Sequence, residues 1–141
     1  MKKLVFPALC TLLLGVGLQA NAQSSSSAMT CATPLKPALE VNLYFGRDIG
    51  AGGEVSEAQW SEFVAVEVTP RFPDGLSILN VSGQSRNSKN ETLRERTKLL
   101  VVVVFDAPAH SAKVEAIVEA YKKRFSQQAV FRIEKPVCAG V

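Results

Sequence analysis

Apolar and polar positions along the chain alternate between two periods. Val41-Asn42-Leu43-Tyr44-Phe45 alternates and is rich in β formers, which predicts a first strand. Trp60, Phe63, Val64 and Val68 then recur at helical spacing. Ser56 followed by Gln59 is a capping box that opens this helix, with Glu57 suited to its first turn. Pro70 and the Pro73-Asp74-Gly75 turn close it. Leu76 to Val81 predicts a second strand, and the polar run from Gly83 to Glu91 predicts a long hairpin loop. Leu99 to Phe105 is apolar on both of its faces and predicts a central strand. Val114, Ile117, Val118, Tyr121 and Phe125 mark the stripe of a second helix, and Ala129 to Ile133 a last strand ended by Pro136.

The order is β-α-β-β-α-β. It predicts an α+β, ferredoxin-like βαββαβ sandwich, with a four-stranded antiparallel sheet carrying both helices on one face. The first and last strands are neighbours in that topology, so the start of one and the end of the other lie together. Both faces of Leu99 to Phe105 are apolar, and the helices cover only one. The uncovered face predicts a homodimer packed sheet against sheet.

The N-terminus predicts an address rather than structure. Lys2 and Lys3 precede an apolar stretch from Leu4 to Leu18, too short to span a bilayer, and Ala20-Asn21-Ala22 is a small-residue cleavage site. Residues 1–22 are expected to be a signal peptide cut between Ala22 and Gln23, 23–40 a flexible Ser- and Pro-containing leader, and 41–141 a single domain. The product would be periplasmic or secreted, with no membrane span after cleavage. Removing the two lysines lowers the excess of Lys+Arg over Asp+Glu from three to one, so no bulk charge argues for nucleic acid. Cys31 and Cys138 survive cleavage, flank the converging strand ends and are expected to form a disulfide in an oxidising compartment. With one histidine and no C-x-x-C, the chain predicts no metal site, and it carries no cofactor motif.

The segments "LYFGR" with "GGEVSEAQW", "TPRFPDGLSIL", "RERTKLLVVV" and "YKKRFSQQAVFRI" occur in an order and spacing that resembles the bacterial family catalogued as domain of unknown function 3574, from Leu43 to Ile133. The resemblance implies a small exported protein with no agreed activity. Ser85 departs from the tryptophan the family usually carries after a Gly-Gln pair, here Gly83-Gln84.

Candidate chemistry is sparse. Gly46, Gly50, Gly52 and Gly53 fit neither a P-loop, which needs a following lysine, nor a dinucleotide loop, and Glu54 would repel phosphate. They predict a permissive strand-to-helix connection. His110, with Asp106 four residues before it, is expected to be a solvated residue at a helix N-terminus rather than a base. The topology gathers Arg47, Arg86, Arg94, Arg96 and Arg124 with Glu95 at one end of the sheet, and Arg47 with Glu95 in one polar cluster. Arginine forks match carboxylates and phosphates, so Tyr44, Arg47, Arg94, Glu95 and Arg124 are the candidate site for a small anionic ligand. Paired carboxylates, metal ligands and activated nucleophiles are missing, which favours a non-catalytic binding or interaction module. The alternative is a small cofactor-free enzyme acting on an anionic substrate at the Arg47/Glu95 end.

Overall fold

The computed structural model describes residues 29–49, 52–86 and 88–140, the side chain of Ser85 excepted. The expected signal peptide and its expected Ala22–Gln23 cleavage point lie outside these residues.

Four long strands form one antiparallel sheet: β1 (Lys36–Gly46), β4 (Ser77–Arg86), β5 (Thr92–Val104) and β6 (Phe131–Ala139), in the order β4-β5-β1-β6. A small hairpin of β2 (Asp48–Ile49) and β3 (Gly53–Glu54) follows β1. It takes the place of the loose connection expected from the glycines, and Gly52 sits in it at φ +92°, a value that favours glycine. Helix α1 (Glu57–Phe63) leads into a π-helical turn over Val64–Val68, and α2 spans His110–Phe125. The capping box forms: Gln59 N donates to Ser56 Oγ at 3.2 Å, and Ser56 N donates to Gln59 Oε1 at 2.9 Å. Such a cap is worth about 1 kcal/mol.

Strand alternation sorts the side chains into two layers. Val41, Leu43 and Phe45 of β1 are fully buried, and register sets Val41 beside Val102 and Leu43 beside Leu100. Trp60 and Phe63 of α1 and Ile117, Tyr121 and Phe125 of α2 close over this face. Phe45, Trp60, Phe63, Tyr121 and Phe125 form a knot of rings, with centroids 4.7 Å apart for Phe45–Tyr121 and 5.1 Å for Phe63–Tyr121. Leu99, Val101 and Val103 point the other way, on a face they share with Asn42 and Tyr44.

Three boundaries differ from the sequence reading. β1 begins at Lys36, within the stretch assigned to the leader, because residues 36–40 pair with 135–139 of β6. Pro37 is tolerated there because β1 has not yet met β5, whose pairing starts at Leu39, so one side of the strand is free. Pro136 does not end the last strand; β6 lies at the sheet edge and continues to Ala139. Finally, much of the expected loop 83–91 is strand: Gly83 to Arg86 pair with Thr92 to Glu95 in a polar ribbon.

Cys31 and Cys138 are joined by a disulfide, with Cα atoms 5.6 Å apart.

Candidate functional site

The end of β1 carries the densest set of charges. Arg47, nearly buried, donates Nε and Nη2 to Val55 O at 2.9 and 2.7 Å and Nη1 to Glu57 Oε1 at 2.7 Å. Its Nη2 also lies 3.0 Å from Glu54 Oε1. Lys98 of β5 is 3% exposed and donates to Glu57 Oε2 and Asn80 Oδ1, both at 2.6 Å. Arg96 completes the group by pairing with Glu54. Glu57 therefore bridges two cations and lines, with Arg47, Asn80, Ser82 and Arg96, a cleft of about 260 Å³. The hydrogen bond from Lys98 outweighs desolvation and, with the charges of Lys98 and Arg47, holds the Glu57 carboxyl below its ordinary value. An incoming anion would have to displace a carboxylate that already neutralises both buried cations.

Glu95 sits elsewhere. Alternation along β5 puts it on the open face, in line with Thr97 and Leu99, whereas Arg47 turns toward Lys98 and α1. Its carboxylate lies over Gly46, so close that a β-carbon there would clash with Glu95 Oε1. Partial burial, then the charge of Asp48, raises the Glu95 carboxyl above its ordinary value. Tyr121 O–H, on the helix side, donates to Gly46 O at 2.8 Å. Burial raises the tyrosine's pKa; Arg47 opposes that shift and Glu95 adds to it.

The remaining candidates are dispersed. Tyr44 lies on the open face with its ring 5.7 Å from that of Phe131. Arg94 is exposed on the hairpin arm. Arg124 pairs with Glu62 at 2.7 Å, joining the two helices. The five residues thus share an end of the molecule without converging on one cavity; neither the cleft at Arg47 nor the one between Arg71 and Val104 is lined by Tyr44, Glu95, Arg94 or Arg124.

Lys98 escaped the sequence reading, which places Glu54 and Glu57 only as a loop acid and a first-turn helix residue, not as partners of Arg47. The available signal was a lone lysine opening the apolar run of β5, three residues after an arginine-flanked glutamate. His110 also differs from expectation: it is 4% exposed, with Nε2 3.1 Å from Glu134 Oε1, because α2 begins against β6. Asp106 pairs instead with Lys113 at 2.9 Å. Among the described residues no group of three or more His, Cys, Asp or Glu could hold a metal ion, and no helix is long and apolar enough to cross a membrane.

Two carboxyls shifted in opposite directions give a pH test. Glu95 has a raised pKa in the folded state, so its favourable contribution is complete below its ordinary value of 4.5 and is lost as pH rises through the folded value. Glu95→Gln should therefore stabilise the protein at neutral pH and match the parent near pH 3. Glu57 is depressed, so its contribution is present above 4.5 and lost as pH falls. Glu57→Gln should destabilise at neutral pH and converge with the parent in acid. Urea titrations at three pH values check both signs; a parallel offset at every pH contradicts the assignment.

No curated protein matches the chain. Among solved structures it is similar to a phage SAM lyase in complex with S-methyl-5'-thioadenosine, at TM-score 0.54 and 12% identity over 72% of this chain and 90% of that one. The same phage SAM lyase in its apo state superposes at TM-score 0.55 and 12% identity, over 81% and 92%. At that identity the likeness is one of fold. Residues 40–140 match the model of the family described as Protein of unknown function (DUF3574), and the chain belongs to that family.

Proposed function

We propose that the chain is an exported, ferredoxin-like interaction module without catalysis, which associates with a second copy through the open face of its sheet. The order β4-β5-β1-β6, with a helix in each of the two crossovers, supports the ferredoxin-like assignment. The disulfide is compatible with export, as is the apolar leader with its cleavage site. The observation that carries the association is the open face itself. Val103 and Ile133 are 41% and 39% exposed there and Phe131 is 66% exposed, beside Tyr44, Leu99 and Val101. A contiguous apolar surface of this kind marks an interface, and a two-fold partner buries the same patch twice. The charged end argues against catalysis, since its buried cations are already neutralised by Glu54 and Glu57.

Light scattering on the purified protein at micromolar concentration should give at least twice the chain mass. Ile133→Glu together with Val103→Glu should disperse that contact without unfolding the chain, since both side chains stand away from the core. A parent that is strictly monomeric at these concentrations ends the reading.

The fold likeness to a phage SAM lyase favours a second reading, a small cofactor-free enzyme at the Arg47/Glu95 end. Calorimetric titration with S-methyl-5'-thioadenosine separates the two. Saturable binding abolished by Glu95→Gln would favour the enzyme, and no heat would favour the module.

A further inference from the structure

The sheet has two edges, and they are built differently. β6 closes one side and carries Arg132, Glu134, Lys135 and Pro136 within its nine residues. Charges and proline are the usual guards of an exposed edge, because proline lacks a donor and charges resist the approach of another strand. β4 closes the other side, and from Ser77 to Ser85 it holds no charge and no proline. It pairs with β5 through Arg86 along its inner side, so the outer N–H and C=O groups of alternate residues face away from the sheet. Ile78 and Leu79, 39% and 47% exposed, give a docking strand apolar contact on both faces of this edge.

We propose that β4 pairs antiparallel with β4 of a second copy, about a two-fold axis through Val81, making one continuous eight-stranded sheet. The sequence of the strand selects this partner and register. A two-fold axis perpendicular to the sheet keeps each open face on its own side, so opposed residues must share a face. With Val81 on the axis, Ser77 to Ser85 overlaps itself completely. Val81 meets its own copy as a β-branched cross-strand pair, and Leu79 lies two places from it on the same face. Arg86 falls just beyond the paired stretch at each end, opposite the copy's Leu76, so the seam itself stays neutral and its nearest charges lie at its two ends. The contact does not rest on the open-face association. Stacking of faces buries side chains and leaves the outer amides of β4 in water, whereas edge pairing hydrogen-bonds those amides. A protein using both contacts would form an assembly larger than a dimer, and loss of either would leave a dimer.

Amide exchange followed by NMR at two protein concentrations reads the edge directly. Alternate amides between Ser77 and Ser85 should exchange at least tenfold more slowly at high concentration than at a dilution where light scattering reports monomer, while outer amides of β6 stay unchanged. Equal exchange of the outer β4 amides at both concentrations overturns the proposal. As an independent check, Val81→Cys in the mature protein, whose Cys31 and Cys138 are bridged, should give a reducible dimer on mild oxidation, and Lys135→Cys should not. The reverse pattern also overturns it.

Discussion

Replacing both Cys31 and Cys138 with serine should lower the unfolding free energy by about 2–5 kcal/mol. The bridge spans 107 positions, nearly the whole domain. In the chain-entropy picture a loop of that length restricts the unfolded ensemble by roughly 4–5 kcal/mol, and native-state effects reduce what is observed. The double substitution avoids leaving a lone thiol. For a domain near 110 residues, the fall in Tm should be roughly 10 °C or more. The loss should be global, because it arises mainly in the unfolded state, even though the two cysteines sit at one end of the sheet. Pro37 pairs with Cys138 in the β1–β6 register, so some additional fraying is expected over residues 36–40 and 135–139. Equilibrium urea unfolding of the two proteins measures the first effect, and amide exchange the second. A change below about 1 kcal/mol would mean that the bridge contributes only local order.

Elements with a pronounced apolar period were legible in the sequence, and polar ones were not. Val41 to Phe45 and Leu99 to Val104 could be placed because one or both faces are buried, so their side chains record the pleat. Gly83, Gln84 and Arg86 on one hairpin arm and Thr92–Arg96 on the other are exposed. Their strand character comes from backbone pairing alone and leaves no hydrophobic signature. The same reason hides Lys36–Ala38, held by pairing with β6 before β5 is met at Leu39. Among the candidate residues, sequence order located the charged end but not its pairings. Arg47 and Glu95 are both near Gly46, yet the parity of two strands turns one toward the helices and the other toward the open face. The partners that neutralise Arg47 stand seven and ten residues later, and the hairpin of β2 and β3 brings them back. No local pattern of charge announces that return.

The knot of rings beneath the sheet should be the least tolerant part of the molecule. Phe63 is fully buried at the end of α1 and contacts Phe45, Trp60, Tyr121 and Phe125, at centroid separations of 5.1–6.0 Å. It joins β1, α1 and α2 in one contact, so no single element can move to fill its place. A π-helical turn follows it directly, closed by Thr69 N donating to Val64 O at 2.9 Å. Phe63→Ala removes the transfer free energy of the ring and leaves a cavity walled by rigid aromatics, a combination worth about 3–5 kcal/mol. Edge-to-face geometry adds a smaller loss for each contact broken. Phe63→Leu keeps most of the volume and should cost substantially less. Tyr121→Phe, which removes only the hydrogen bond to Gly46 O, should cost about 1 kcal/mol. Urea midpoints at unchanged slope give this ranking. If Phe63→Ala proved no more harmful than Tyr121→Phe, the surrounding rings must collapse into the space, and the core would not be the close-packed unit that its contacts describe.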